Sequence, residues 1–216
     1  MEKGIASSIR EKISEKFSLE DSVHDISHHE RVMQNSLKIS ESEGGDKEIL
    51  AAAAMTHDIH RLSSEDYKSP EESLEDVRDI LKNSKLEESK IDKVIQCVKF
   101  HDDYNFSGEN RASTVNQKIL QDADNLDAMG AIGVARAFAF GGRKSQPFNL
   151  EDEVESQIYD PSEFSGSVIG HFHEKLFKLK ENMNTETARR IADQRHDFMK
   201  QFVERFQRET SGNENI

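Results

Sequence analysis

The sequence predicts an all-α protein, and three observations support this prediction. Apolar residues recur at helical spacing, as at Ile5, Ile9, Ile13 and Phe17 near the start of the chain. With only 3 Pro and 11 Gly among 216 residues, the chain has few turn residues with which to separate short strands. The charged fraction of 33% and the hydrophobic fraction of 34% suit helices with well-solvated faces. We expect residues 1–216 to form a single helical domain, because this length allows one sizeable buried core.

The first half of the chain is predicted to form successive helices. After the N-terminal helix, a second helix begins near Ser27 and ends near Gly44 and Gly45, because glycine commonly follows the last turn of a helix. Residues 47–59 include ILAAAAMTHDI, which has little polar surface and is typical of a central helix packed on several sides. Two amphipathic helices are then predicted over residues 73–81 and 87–100.

The second half is predicted to begin with a helical stretch over residues 114–140, whose small residues allow close helix packing. Residues 141–170 include Pro147 and Pro161 and show no sustained periodicity, so we expect a long surface loop that acts as a lid. Two C-terminal helices are predicted to follow. One carries residues 172–179, and the other starts after Asn184 or Thr185 and reaches Phe206. The polar tail from about residue 210 is expected to be disordered.

The charge and the cysteine content exclude several classes of protein. A net charge of −13 argues against a nucleic-acid-binding surface, and any anionic substrate would need local positive charge. The sequence lacks the run of roughly 18 apolar residues that a membrane span requires. The single cysteine, Cys97, cannot form an internal disulfide, and the N-terminal segment lacks the apolar centre of a signal peptide. We therefore expect a cytoplasmic protein, and the sequence is compatible with a homodimer.

The most informative residues are His28, the adjacent pair His57 and Asp58, and Asp124. Imidazole nitrogens and carboxylate oxygens are ligands of divalent cations, and four of them would leave coordination positions open. A His–Asp pair alone is a weak signal among 9 histidines. However, this pair ends an Ala-rich helix that is predicted to be buried, and buried His and Asp need partners or a metal. The nearby acids Asp122 and Asp127 could support these ligands or face solvent.

Further candidates lie around these four residues. His101, in KFHDD at a predicted helix end, could be a metal ligand, a phosphate contact or a helix cap. His24 could share a helix face with His28 or be exposed. The sequence contains no HExxH motif, Walker A loop or dinucleotide-binding fingerprint. The basic residues that could contact phosphate are Arg31, Arg61, Arg136, Arg143 and Lys144, although most such residues are simply solvated.

The order of these motifs resembles that of the HD-domain phosphohydrolase superfamily. The resemblance is carried by SHHERV at 27–32, MTHDI at 55–59 and DADNLDA at 122–128. It implies an all-helical HD-domain bundle in which one divalent metal is bound by His28, His57, Asp58 and Asp124. His60 and His101 do not complete the histidine pattern of the di-iron variants, which favours one metal.

Longer segments, including FAFGG and KLFKLKENMNTETARRIADQRHDFM, are similar to one small bacterial branch of the superfamily. Some members of that branch hydrolyse nucleoside triphosphates and release pyrophosphate. The resemblance therefore implies a nucleotide as the substrate.

The predicted function is metal-dependent hydrolysis of a nucleoside triphosphate to the monophosphate and pyrophosphate. Asp58 would orient or deprotonate the attacking water, and His101 would assist catalysis. Arg61 would contact the substrate, together with Arg143 and Lys144 on the predicted lid. The metal would be Mn²⁺, Fe²⁺, Co²⁺, Ni²⁺ or Mg²⁺. Two alternatives stay open: a phosphatase or phosphodiesterase for another small phosphorylated metabolite, and a non-catalytic module that senses metal or nucleotide.

Overall fold

The structure is a computed structural model that describes residues 2–17, 26–62, 69–102, 111–149 and 166–212. These residues form α-helices and short 3₁₀ helices, and no strand occurs among them, which confirms the predicted all-α class. The chain divides into two compact units, Met1–Asp124 with Asn184–Ala188 and Asn125–Met183 with Arg189–Ile216. The single domain stays a prediction. None of the described helices combines the length and the apolar character that a membrane span needs.

The first unit is organised around a short helix that is buried over most of its length. Its elements are α1 (Glu2–Lys16), α2 (Ile26–Glu43), α3 (Lys47–Thr56), α4 (Ile59–Leu62), a 3₁₀ helix (Pro70–Ser73), α5 (Leu74–Lys82), α6 (Glu88–Lys99) and α7 (Val115–Asp127) as far as Asp124. Helix α3 packs against α1, α2 and α6, and all its residues from Ile49 to Thr56 are buried. The Ala-rich sequence allows this close approach on several sides, as predicted.

Polar contacts define the N-terminus of α3, and a turn follows its C-terminus. Asp46 caps its N-terminus and accepts hydrogen bonds from the backbone N–H groups of Glu48 (2.9 Å) and Ile49 (3.3 Å). The ammonium group of Lys90 on α6 pairs with the carboxylates of Asp46 at 2.8 Å and Glu48 at 2.7 Å. The helix ends at Thr56, whereas the prediction extended to residue 59, and His57 and Asp58 form the turn that leads into α4.

The second unit comprises α8 (Gly130–Arg143), α9 (Val168–Glu174), a 3₁₀ helix (Leu176–Asn182) and α10 (Glu186–Thr210) from Arg189 onward. Helix α9 packs against both α8 and the 3₁₀ helix. Phe172 is fully buried, and its ring lies near those of Phe177 and Phe202, with centroid distances of 5.9 and 6.4 Å. Phe172 is therefore the buried centre of an aromatic cluster within this unit.

The stretch predicted over residues 114–140 consists of two helices. Helix α7 ends at Asp127, and α8 begins at Gly130, whose φ of +69° lies in the left-handed region that favours glycine. A Cβ atom at this position would lie 3.0 Å from Cγ of Arg195. The left-handed conformation of Gly130 therefore separates the predicted helical stretch into α7 and α8.

Two further predictions for the second unit need correction. The predicted loop is shorter than residues 141–170, because α8 continues to Arg143 and α9 starts at Val168, while residues 150–165 lie outside the described part of the chain. The proposed lid role of this segment is therefore untested. Residues 172–179 do not form a single helix. Lys175, with φ −129° and ψ −61°, separates α9 from the following 3₁₀ helix.

The start of α10 agrees with one of the two predicted caps. The hydroxyl oxygen of Thr185 accepts a hydrogen bond from the backbone N–H of Ala188 at 3.3 Å, so Thr185 is the N-cap. The helix extends to Thr210. The last residues of the tail, 213–216, lie outside the described part of the chain.

Candidate metal centre

Four side chains from separate parts of the first unit come together beside the end of α3. His28 lies in the first turn of α2, His57 and Asp58 lie in the turn between α3 and α4, and Asp124 lies on α7. All four are buried, with Asp124 the most exposed at 9%. A buried cluster of two imidazoles and two carboxylates is rarely stable without partners, because each polar group has lost its hydration.

The nitrogen and oxygen atoms of this cluster are close enough to bind one cation. Nε2 of His28 lies 3.1 Å from Nε2 of His57, 3.6 Å from Oδ2 of Asp58 and 3.5 Å from Oδ1 of Asp124. Nε2 of His57 lies 3.9 Å from Oδ2 of Asp58 and 3.7 Å from Oδ1 of Asp124. Ligands about 2.1 Å from an ion are separated by about 3.0 Å at neighbouring octahedral positions and about 3.4 Å at tetrahedral ones. The observed separations match or slightly exceed these values.

Two groups of potential ligands meet this distance requirement. His28, His57 and Asp58 form one group, and His57, His101 and Asp124 form the other. Because His57 belongs to both groups, the structure brings together all four predicted ligands and adds His101 as a neighbour. The donor set therefore fits a divalent cation.

The hydrogen bonds of the imidazoles determine which nitrogen is directed into the cluster. Nδ1 of His57 lies 2.8 Å from the carbonyl oxygen of Ala54, and Nδ1 of His101 lies 2.7 Å from that of Val98. Since a carbonyl oxygen can only accept, Nδ1 must carry a proton in both rings. In a neutral His57, Nε2 would then have a free lone pair directed toward His28, as a metal ligand requires.

The charges in the cluster keep Asp124 ionised. Burial by itself would raise the pKa of Asp124, but the imidazoles of His57 and His28, whose Nε2 atoms lie 3.7 and 3.5 Å from its Oδ1, hold this pKa well below its usual range. Asp124 is therefore available as a negatively charged ligand.

The second oxygen of Asp58 faces a group of basic side chains. Nε of Arg61 donates to Oδ1 of Asp58 at 2.9 Å, and Nε2 of His101 lies 3.3 Å from the same oxygen. Nε2 of His60 lies 3.9 Å from it. Burial lowers the pKa of His101, but the hydrogen bond with Asp58 and the charges of Asp102, Asp58 and Asp124 outweigh this effect and raise the pKa to about 9. Without a metal, His101 is therefore an imidazolium that donates to Asp58.

The predicted substrate contacts lie in different parts of the chain. Arg61 lies next to Asp58 at the edge of the cluster, as described above. Arg143, the last residue of α8, and Lys144, which follows it, are exposed residues of the second unit. The role of Arg61, Arg143 and Lys144 in substrate binding stays a prediction. His24 lies outside the described residues.

The two additional acids of α7 have structural partners. Oδ1 of Asp122 accepts hydrogen bonds from the backbone N–H and the side-chain amide of Asn184, and Oδ2 accepts from the backbone N–H and the hydroxyl of Thr185. Asp127 is 1% exposed and pairs with Arg136 at 2.8 Å, so the option of a solvated Asp127 was wrong. Asp122 connects α7 to the residues that begin α10.

The sequence interpretation missed one residue of this region, His29. It is fully buried, and its Nδ1 lies 2.9 Å from the carbonyl oxygen of Met55. Burial, together with the nearby charges of His57 and His28, lowers its pKa to about 3, so the ring is neutral. The available signal was its position on the apolar stripe of α2 with Val32, Ser36 and Ile39, all of which are buried.

Comparisons with known proteins agree with this architecture. The HD domain family matches residues 25–129, a range that includes the four clustered residues. The Bacillus subtilis protein YpgQ is 34% identical over an alignment of 213 residues that covers 96% of this chain and 94% of YpgQ.

Two solved structures resemble the whole chain. An HD-superfamily hydrolase from Bacillus thuringiensis is 32% identical with a TM-score of 0.70, over 97% of this chain and 96% of that one. YpgQ, solved in complex with ADP, is 30% identical with a TM-score of 0.69, over 94% of this chain and 97% of that one. The matching family, the similarity to YpgQ and the His–Asp cluster together establish that this chain belongs to the HD-domain superfamily.

Proposed function

We propose that this protein is a metal-dependent phosphohydrolase that cleaves a nucleoside triphosphate to the monophosphate and pyrophosphate. The observation that carries this proposal is the buried cluster in which His28, His57, Asp58 and Asp124 direct their nitrogen and oxygen atoms toward a common point. These four residues would hold one divalent ion. A bound ion would lower the pKa of a water molecule and neutralise charge on a phosphoryl group.

The residues around the cluster can supply the remaining chemistry. Asp58 can orient the attacking water and accept its proton, while Arg61 holds the carboxylate in place through Oδ1. Nε2 of His101 lies 3.3 Å from the same oxygen, so a protonated His101 would be placed to donate to a phosphate oxygen or to the leaving group. Arg61 can also pair with substrate phosphate. Pyrophosphate is released only if water attacks the α-phosphate. The product therefore depends on which phosphate of the substrate the bound ion contacts.

The choice of a nucleotide is supported by YpgQ, which was solved with ADP. The similarity of the C-terminal segment MNTETAR to one bacterial branch of the superfamily supports the same substrate class. On a chain with a net charge of −13, Arg143 and Lys144 are candidates for further phosphate contacts.

Removal of the metal is expected to abolish turnover, because two imidazoles and two carboxylates cannot polarise a phosphate ester by themselves. Dialysis against a chelator should eliminate hydrolysis, and adding back Mn²⁺, Co²⁺, Ni²⁺, Fe²⁺ or Mg²⁺ should restore it. The measurement is turnover together with elemental analysis of the stripped and reloaded protein. Full activity in protein shown to lack metal would contradict the proposal.

The products identify the bond that is cleaved. With a panel of nucleoside triphosphates and monophosphates, we expect equal amounts of nucleoside monophosphate and pyrophosphate, separated by chromatography. Orthophosphate as the only inorganic product, or turnover restricted to monophosphates, would indicate a phosphatase. Tight binding of metal and nucleotide without turnover would indicate a sensing module.

A further inference from the structure

His29 stands out because its burial is costly and unexplained by the proposed chemistry. The residue is fully buried, and its Nε2 has no hydrogen-bond partner among the described residues. An apolar side chain of similar size would fill this position on the buried face of α2 without leaving a polar atom unsatisfied. The hydrogen bond made by the other ring nitrogen is therefore the specific contribution of the histidine.

That hydrogen bond reaches the end of α3. Nδ1 of His29 donates to the carbonyl oxygen of Met55 at 2.9 Å, and Nδ1 of His57 donates to that of Ala54 at 2.8 Å. The last carbonyl groups of a helix have no partner within the helix, so donors from elsewhere determine how its final turn is held. Two imidazoles thus satisfy consecutive carbonyl groups immediately before the turn that contains His57 and Asp58.

The same helix also carries a candidate metal ligand. His28 and His29 are neighbours on α2, and successive residues of a helix point about 100° apart. His28 is therefore directed to the cluster while His29 is directed to the end of α3. The ring centroid of His57 lies 5.0 Å from those of both His28 and His29. Helix α2 consequently contacts the ligand-bearing turn in two places.

We propose that His29 is a positioning residue that sets the metal affinity of the site by holding the turn of His57 and Asp58 in register with His28. This inference rests on the proposed metal site. Ligand atoms must lie within about 0.2 Å of their ideal distances, so a small displacement of the turn would weaken binding. Residues that orient metal ligands typically change metal affinity by about 10- to 100-fold when replaced.

Two substitutions separate the hydrogen bond from the packing. In His29→Asn, the amide nitrogen occupies the place of Nδ1, one bond from Cγ, and can still donate to Met55. In His29→Leu, a branched side chain of similar size remains but cannot donate. We expect His29→Leu to raise the Mn²⁺ dissociation constant about tenfold or more, and His29→Asn to stay within about threefold of the unmodified protein.

The measurement is titration calorimetry of metal-stripped protein with Mn²⁺, with thermal unfolding recorded in the absence of metal. Val77→Ala serves as the control, because Val77 is fully buried on α5 and its truncation should cost stability without changing the dissociation constant. The proposal is overturned if His29→Leu binds Mn²⁺ like the unmodified protein. It is also overturned if Val77→Ala loses as much affinity as His29→Leu, or if the unmodified protein binds no divalent ion. If Mn²⁺ binds but nucleotides are not hydrolysed, the proposed function fails while the inference about His29 stands.

Discussion

Replacing Asp58 with asparagine is expected to reduce turnover by about 10³-fold, because the site loses both a candidate metal ligand and the carboxylate that orients water. The substitution keeps the size of the side chain but removes the charge that Arg61 and His101 face at 2.9 and 3.3 Å. The helical content should not change. Asp58 lies in the turn after α3, and the buried alanine residues that pack this helix are unaffected. Steady-state kinetics with far-ultraviolet circular dichroism tests both expectations.

Asp46→Asn provides a matched control at the opposite end of the same helix. Asp46 also pairs with a basic residue, Lys90 at 2.8 Å, but it caps α3 and is distant from the proposed chemistry along the helix. This variant should lose some stability and keep its turnover. His101→Ala should reduce turnover less than Asp58→Asn does. Equal loss of bound metal in both variants would instead identify His101 as a ligand, and loss of helical signal in Asp58→Asn would indicate a structural role.

Replacing Asp122 with alanine is expected to lower the free energy of unfolding by about 3 kcal/mol. The carboxylate is fully buried and accepts hydrogen bonds from both backbone N–H groups of Asn184 and Thr185, as well as from their side chains. Its removal leaves these donors without an acceptor, and it releases Thr185, which caps α10. Urea denaturation, monitored by circular dichroism, measures the change.

The matched control is Asp193→Ala. Asp193 pairs with Lys180 at 2.9 Å, but its side chain is 57% exposed, and exposed ion pairs contribute about 1 kcal/mol or less. The two variants therefore remove the same side chain from a buried network and from the surface. Equal denaturation midpoints would show that Asp122 does not hold the start of α10 as the structure indicates.

The helices were predictable where local periodicity and caps decide the structure. The apolar spacing of α1, the Ala-rich composition of α3 and the Gly44 signal after α2 all agree with the structure, in which Gly44 has a φ of +83°. The predictions were wrong where a single backbone conformation interrupts a regular pattern. Gly130 divides the stretch over residues 114–140, and Lys175 divides the one over residues 172–179. Small residues continue the helical pattern across the break at Gly130, and the apolar spacing of Phe172, Leu176 and Leu179 continues it across the break at Lys175, so the sequence reveals neither.

The amino-acid sequence by itself determined the all-α class and the order of the four candidate ligands, because periodicity and residue type are local properties. It could not assign a role to Asp122, whose partners Asn184 and Thr185 are 62 and 63 positions away. Nor could it identify His29, whose partner Met55 is on another helix. Only the tertiary structure decided these roles, since a buried polar group is stabilised by the acceptor or donor that folding brings to it. His57 and Asp124 were recognisable as ligand types from the sequence, because residue type is a local property. The 3.7 Å between their atoms was visible only in the fold, because folding brings together residues that are distant along the chain.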